Sequence, residues 1–191
     1  MTTVSHGLPG ERLTTAEADI FRTISLLLLY PEEVEPDELT EATRVVEKLN
    51  DEVLQHDLLA FLEYVRQTSL LEWTQAYVRT FDFSDSAALY LTYGKNREDR
   101  ERGPELVRLK QTYGQLGYTV TETELPDYLP LFLEFVSIAP RIVVRELLTE
   151  YKHAIQEIGD ALHSVQSPYA HLMRGCQRAV ALFLSEGGGL A

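Results

Sequence analysis

The sequence predicts an all-α, single-domain helical bundle, and three observations support this prediction. Apolar residues recur at intervals of three and four along almost the whole chain, which is the period of a helix. Strand signals are nearly absent, and the most strand-like run, residues 118–122, is short. No internal repeat is visible, and no linker is long enough to divide the 191 residues into two domains.

The composition is that of an ordinary globular protein, with 45% hydrophobic and 25% charged residues. A chain of this length can bury enough surface to fold without a disulfide or a structural metal. The single cysteine, Cys176, excludes an internal disulfide and fits a reducing compartment. The start of the chain does not look like a secretory leader, and the apolar run at 24–30 is too short to span a bilayer. We therefore expect a cytoplasmic protein.

The chain is strongly acidic, with 30 acidic and 17 basic residues and a formal net charge of −13. This balance disfavours nucleic acids and anionic membrane surfaces, because both are bound through basic patches. It favours a basic partner. The alternative, that the acidity only improves solubility, remains open at this point.

The first helix is predicted from a capping signal. Residues 1–13 are expected to form a flexible tail. A capping box, Thr14-Thr-Ala-Glu17, then opens a helix, which Pro31 ends. Leu26 and Leu29 widen the apolar face of this helix, which predicts that it is centrally buried.

Three more helices follow in the first half of the chain. Pro36 suits a first helical position and opens a helix to about residue 49. The next helix is predicted at about 52–67. A second capping box, Ser69-Leu-Leu-Glu72, opens a fourth helix, which contains Tyr77 and Phe81.

The second half of the chain is also divided by prolines and glycines. Pro104 begins a helix that ends near Gly117. Pro140 begins a long helix, which reaches to about Val165 and is followed by the last one. Residues 186–191 are expected to be a flexible tail, which leaves one helical domain over residues 14–185.

Residues 124–135 form a rigid entry into an apolar helix. Pro126 pushes Leu125 out of the helical region of backbone space. Asp127 is predicted to cap the helix by accepting a hydrogen bond from a free backbone N–H. Pro130 lies in the first turn, where its missing N–H costs little.

A second block combines aromatic and acidic residues. They alternate over residues 80–86, and a short aromatic run follows at residues 87–93. Core packing is the simplest interpretation, because the seven Phe, ten Tyr and one Trp of the chain are mostly expected inside the protein.

Motifs for catalysis and metal binding do not appear. The sequence has no G-x-G-x-x-G, no phosphate-binding loop and no H-E-x-x-H, and its five histidines are scattered. We therefore predict no catalytic residue, no metal site and no cofactor, although a triad assembled in space is compatible with the sequence. Carboxylates near the aromatic blocks have three open interpretations, namely acid–base chemistry, helix capping with solvation, and contact with a partner's positive charge. These are Asp82, Asp85, Glu124 and Asp127.

Both blocks resemble one protein family. Glu124-Leu-Pro-Asp-Tyr-Leu-Pro, followed by Leu-Glu-Phe, is similar to the motif of NarJ-type proteins. These are assembly chaperones of respiratory nitrate reductase, within the TorD/DmsD group of molybdoenzyme maturation factors. The group tends to carry His where this chain has Tyr128, and Tyr there is similar to the nitrate reductase branch. Phe81-Asp-Phe, followed by Leu-Tyr-Leu-Thr-Tyr93, also resembles the family pattern.

The resemblance implies a TorD-like helical chaperone rather than an enzyme. Such proteins bind the N-terminal segment of the catalytic subunit of nitrate reductase, hold the apoenzyme until the molybdenum cofactor is inserted, and delay its docking to the membrane. They contact the membrane only indirectly, through the client. A monomer or a weak dimer is expected.

The residues of the two blocks predict how a partner peptide is held. It would lie as an amphipathic helix in an apolar groove with an acidic rim. The predicted groove residues are Phe81, Asp82, Phe83, Tyr90, Tyr93, Glu124, Leu125, Pro126, Asp127, Tyr128 and Leu131. Two alternatives remain open: a chaperone of a related molybdoenzyme, and a small helical enzyme that uses carboxylates with or without a metal.

Overall fold

The computed structural model describes residues 11–81, 88–93, 99–120 and 124–185, with side chains from residue 102 onward in the third range. These ranges contain eight α helices, one short 3-10 turn and no β strand, which confirms the predicted all-α fold. The helices are α1 (Thr15–Leu27), α2 (Pro36–Glu47), α3 (Glu52–Gln67), α4 (Leu70–Phe81), α5 (Asp99–Gln115), α6 (Leu129–Ile138), α7 (Arg141–Ser164) and α8 (Tyr169–Leu184). The 3-10 turn, Pro31–Glu33, joins α1 to α2.

Helix α6 is largely buried in the bundle. Seven of its ten residues are buried, and Phe132, Leu133 and Phe135 have no exposed surface. Apolar residues cover most of its circumference, which favours an interior position, while Glu134 faces solvent. Helix α1 packs along α6, and α8 packs against both α3 and α7.

The predicted helix starts at the two capping boxes are confirmed. Thr14 Oγ1 accepts a hydrogen bond from the backbone of Glu17, whose carboxylate accepts one from the backbone of Thr14. Ser69 and Glu72 make the same reciprocal pair ahead of α4. Each box satisfies two N–H groups that have no partner within the helix.

Helix α5 begins earlier than predicted. It starts at Asp99, so Pro104 lies inside the helix rather than at its first position. A proline at this place removes the hydrogen bond to the carbonyl four residues earlier. Because Pro104 lies just past the first turn, only this one bond is lost. The predicted end is confirmed: Gly117, two residues after the last helical residue Gln115, has a φ of 77°, which glycine adopts without strain.

The predicted tail also needs a correction at residues 11–13. The Arg141 backbone N–H donates to the carbonyl of Glu11 at 2.7 Å, and Arg12 donates to the carbonyl of Ile138 at 3.1 Å. Leu13 packs against the core. These three residues are therefore held on the junction between α6 and α7, while residues 1–10 and 186–191 lie outside the described part of the chain.

A buried ion pair joins α1 to α7 at the same junction. The side chain of Glu17 is 1% exposed, and its carboxylate accepts hydrogen bonds from the Arg141 guanidinium at 2.7 and 2.9 Å. Burial by itself would raise the pKa of Glu17. The hydrogen bonds from Arg141 and Thr14 outweigh burial, so the pKa lies below its ordinary value of 4.5.

The stabilisation provided by Glu17 is expected to depend on pH. Because folding lowers the pKa of this carboxyl, its contribution is complete above the ordinary value and disappears as the pH falls through the folded-state pKa. Glu17→Gln should lower the free energy of unfolding by about 1–3 kcal/mol at neutral pH. The difference from wild type should shrink below about pH 4.5 in urea titrations. A difference that is constant from neutral to acidic pH would contradict this assignment.

Candidate functional site: an aromatic groove with an acidic rim

A groove of about 1030 Å³ opens between α1, α2, the end of α4 and the start of α6. Its floor is apolar and aromatic, and its rim is charged. The apolar and aromatic lining residues include Leu26, Leu29, Tyr30, Ala42, Val45, Tyr77, Phe81, Leu89, Tyr90, Tyr128, Pro130 and Leu131. The groove is large enough to hold a ligand of substantial size.

The floor is built on the ring of Tyr77. This ring lies 5.4 Å from the ring of Tyr30 and 4.8 Å from that of Phe81, measured between centroids. The hydroxyls of Tyr77 and Tyr128 are hydrogen bonded at 3.0 Å. Burial is the main reason why the pKa of Tyr128 lies well above its ordinary range, so its hydroxyl is neutral at physiological pH.

Two separated segments are tied together along one wall. Tyr90 and Tyr128 form an isolated antiparallel bridge, and their rings lie 5.5 Å apart. The Leu91 N–H donates to the carbonyl of Asp127 at 3.0 Å, and the Leu129 N–H donates to the carbonyl of Leu89 at 2.7 Å. The short strip 88–93 is therefore fixed directly against the start of α6.

The rim carries mostly negative charge. Six lining residues are acidic, and Arg22 is the only basic one among the described residues that line the groove. The acidic residues are Asp19, Glu33, Glu38, Glu41, Glu124 and Glu134. Such a rim attracts cations and repels anionic ligands.

The carboxyl of Glu124 is affected by its place on this rim. Burial raises its pKa, and the charge of Glu33 raises it further, while a hydrogen bond from Tyr90 acts in the opposite direction. Glu33 and Glu124 both line the groove and come from separate segments of the chain, so a positive group near both would relieve their repulsion.

Neither a metal centre nor a membrane span is found in the described part of the chain. No group of three or more His, Cys, Asp or Glu residues there is arranged to hold a metal ion. No helix among the described residues is both long enough and apolar enough to cross a bilayer.

Comparison with known proteins identifies the family. The profile of the nitrate reductase delta subunit family matches residues 47–174. The chain belongs to this family. The match begins at the end of α2 and reaches into α8, so it includes both segments that form the wall of the groove.

Two relatives of this chain are named as assembly chaperones. A Bacillus subtilis protein assigned as the nitrate reductase molybdenum cofactor assembly chaperone NarJ is 38% identical over 84% of this chain and 87% of its own length. The chaperone NarJ of Escherichia coli K12 is 30% identical over 78% of this chain and 64% of its own length. The NarJ-type resemblance of the two motifs is thereby confirmed.

A solved structure shares the fold. The crystal structure of a proposed redox enzyme maturation protein from Archaeoglobus fulgidus superposes with a TM-score of 0.62. The match covers 94% of this chain and 98% of that chain at 19% identity. Identity this low supports the shared helical architecture alone.

Five of the eleven residues predicted for the groove line it in the structure. They are Phe81, Tyr90, Glu124, Tyr128 and Leu131. Asp82 and Phe83 lie outside the described residues. That the five contact a partner remains a prediction.

Three other predicted residues lie beside the groove rather than on it. Leu125 and Tyr93 are exposed, and neither is among the lining residues. Pro126 is buried, and its carbonyl accepts a hydrogen bond from the Tyr113 hydroxyl at 2.8 Å. This hydrogen bond attaches the turn before α6 to Tyr113 of α5.

The predicted roles of Asp127 as a helix cap and as a rim charge are wrong. The N-cap of α6 is Tyr128, and no side chain caps this helix. Asp127 is fully buried, and its Oδ2 accepts hydrogen bonds from the backbone N–H and the hydroxyl of Thr92 at 3.2 and 2.5 Å. A tertiary partner 35 residues away has thus replaced the local cap.

The sequence analysis missed the opposite wall of the groove, which α1 and α2 provide. Leu26 and Leu29 were expected to be centrally buried, but they are half-buried and face the groove. Their unusually wide apolar face was the available signal. A wide face can be covered by the chain itself or left for a partner, and periodicity does not distinguish these cases.

Proposed function

We propose that this protein is a system-specific chaperone of respiratory nitrate reductase that acts in the cytoplasm. It binds the N-terminal segment of the catalytic subunit and holds the apoenzyme while the molybdenum cofactor is inserted, before the client docks at the membrane. The observation that carries this proposal is the aromatic groove with carboxylates on both walls. The names of the relatives supply the client class.

The shape of the groove suits a short amphipathic helix. Along one wall the lining residues on α1 run from Asp19 to Leu26, which at a rise of about 1.5 Å per residue spans about 10 Å, or two helical turns. Leu26, Leu29 and Tyr77 offer apolar contacts to the buried face of such a helix. Basic side chains at its edges would meet carboxylates on either wall.

The two kinds of contact have different consequences. Apolar and aromatic contacts provide most of the affinity, because burying large rings removes the most surface from water. The acidic rim speeds encounter and selects basic segments. Ordering a flexible segment costs about 2–5 kcal/mol, so micromolar to nanomolar dissociation constants are expected.

Tyr30→Ala is expected to weaken binding of the client's N-terminal peptide by about 30-fold, which corresponds to about 2 kcal/mol. Tyr30 lines the groove and packs edge-on against Tyr77, so its loss removes an aromatic anchor and leaves a gap in the floor. Isothermal titration calorimetry with a synthetic peptide measures the effect.

Tyr64→Ala is the matched control. Tyr64 is also half-buried and packs against one ring, that of Phe61, but it does not line the groove. Equal losses for the two variants would show that the groove does not bind the peptide. N-terminal peptides of other molybdoenzymes, titrated in parallel, test the client, since tighter binding of one of them would assign a different enzyme.

A further inference from the structure

A buried polar cluster lies directly behind the wall formed by Tyr90 and Tyr128. Arg102, near the start of α5, donates from Nε to the hydroxyl oxygen of Thr92 at 3.0 Å. Its Nη2 lies 3.5 Å from Asp127 Oδ2, which also accepts the Thr92 hydroxyl. The side chain of Asp127 is 0% exposed and that of Arg102 is 21% exposed. Charged groups this deeply placed are held in fixed positions by their partners.

The same guanidinium contacts two aromatic rings. Its central carbon lies 5.7 Å from the ring centroid of Tyr90 and 5.0 Å from that of Tyr93. Attraction between a cation and an aromatic face is stronger where water is excluded. Arg102 therefore holds the Tyr90 ring from the side of the cluster, while the ring of Tyr128 contacts it as well.

The Tyr90 ring brings this constraint to the rim. Tyr90 lines the groove together with Glu124, and it lies close enough to affect the pKa of the Glu124 carboxyl. Arg102 itself is not among the lining residues. The cluster is thus linked to the groove through Tyr90, and Arg102, Thr92 and Asp127 do not line the groove themselves.

We propose that Arg102 is a positioning residue of the groove. Anchored by Asp127 and Thr92, it fixes the Tyr90 ring and so sets the position of this wall of the groove. This inference rests on the proposed function, in which that wall receives the client segment. It assigns Asp127, the acidic residue at the centre of the Glu124–Pro130 motif, to the support of the groove rather than to its surface.

A general role in stability would have a different signature. All described partners of Arg102 belong to the strip 88–93 or to Asp127, so the loss of Arg102 should loosen that strip more than the rest of the bundle. Two backbone hydrogen bonds report on the strip, those from Leu91 to Asp127 and from Leu129 to Leu89. Amide hydrogen exchange measures both without any partner.

The experiment compares full-length wild type, Arg102→Ala, Arg102→Lys and Arg108→Ala. In Arg102→Ala, the exchange rates of the Leu91 and Leu129 amides should rise about tenfold more than those of amides in α7 and α8, which report on overall stability. The dissociation constant of the client's N-terminal peptide should rise about tenfold. Lysine keeps the charge but not the planar, forked donor, so Arg102→Lys should fall between wild type and Arg102→Ala.

Arg108→Ala removes the same charge from the same helix. Arg108 pairs with Glu150 and Tyr151 of α7, away from the groove, so Leu91, Leu129 and peptide affinity should not change. Equal acceleration of exchange throughout the bundle in Arg102→Ala would reduce Arg102 to a general stabilising residue. Lost affinity with unchanged exchange would mean that Arg102 contacts the peptide directly, and no change in either would remove it from the site. If wild type does not bind the peptide, the proposed function fails, while the exchange data still decide what Arg102 holds in place.

Discussion

Replacing Glu33, Glu38 and Glu41 together with Gln is expected to slow capture of the client's N-terminal peptide by about 10- to 100-fold at low salt. The three carboxylates lie along one wall of the groove, on the turn before α2 and on its first turns. Removing them changes the net charge of the chain from −13 to −10 and concentrates the loss at the rim. Steering by charge acts on encounter, so the dissociation rate should change less.

The substitutions preserve the fold for a specific reason. Glu38 accepts a hydrogen bond from the backbone N–H of Glu35 at 3.0 Å, which helps to cap α2, and Gln can accept the same bond. Glu41 pairs with Arg44 on the surface, and exposed pairs of this kind contribute little to stability. A difference in association rate between wild type and the triple variant therefore reports on charge.

Stopped-flow measurement of the peptide association rate, at low salt and at about 0.5 M salt, shows how much of that rate depends on charge, because high salt screens charges beyond a few ångströms.

A control variant, in which Gln replaces Glu52, Glu146 and Glu157, separates the charge of the rim from the net charge of the chain. These three residues are exposed and do not line the groove, so their substitution removes the same amount of charge away from the rim. Only the rim variant should show a clearly weaker dependence on salt, with Asp19, Glu124 and Glu134 still on the rim. Equal slowing in both variants would point to net charge, and association in wild type that is indifferent to salt would remove the rim from the mechanism.

The helices were predictable because their ends are specified locally. The start of α2 at Pro36 and the bounds of α3, residues 52–67, agree with the prediction. A capping box or a proline acts on the backbone within four residues of itself, so the sequence contains the whole signal. Pro104 failed as a marker because a proline just past the first turn is also tolerated.

Only one wall of the groove could be predicted, because the groove depends on contacts between segments that are distant in the sequence. Its motif-bearing wall could be found because two unusual segments, at 81–93 and 124–131, attracted attention by composition. The wall made by Leu26, Leu29 and Val45 belongs to helices whose sequences do not say whether the chain itself covers the wide apolar face, and the packing of α1 against α6 leaves this wall uncovered. Asp127 was misplaced because an isolated Asp after a proline suits a cap, and no local feature points to Thr92.

Asp127→Ala is expected to lower the free energy of unfolding by about 3 kcal/mol, near the lower end for breaking a buried charged pair, because Arg102 remains partly exposed. The substitution leaves the Thr92 N–H without its acceptor and the Arg102 guanidinium without its anion. For a chain of this length, the melting temperature should fall by about 6–12 °C. Calorimetry or thermal circular dichroism measures the shift.

Two further variants identify the cause of that loss. Asp127→Asn keeps the shape and an oxygen acceptor for Thr92 but removes the charge that faces Arg102, so it should cost about half as much. Asp160→Ala removes an exposed carboxylate from α7, and its effect should stay within about 0.5 kcal/mol. If Asp127→Ala has the melting temperature of wild type and loses only peptide binding, the buried cluster does not contribute to the stability of the fold. Asp127 would then have to reach the groove in the bound state.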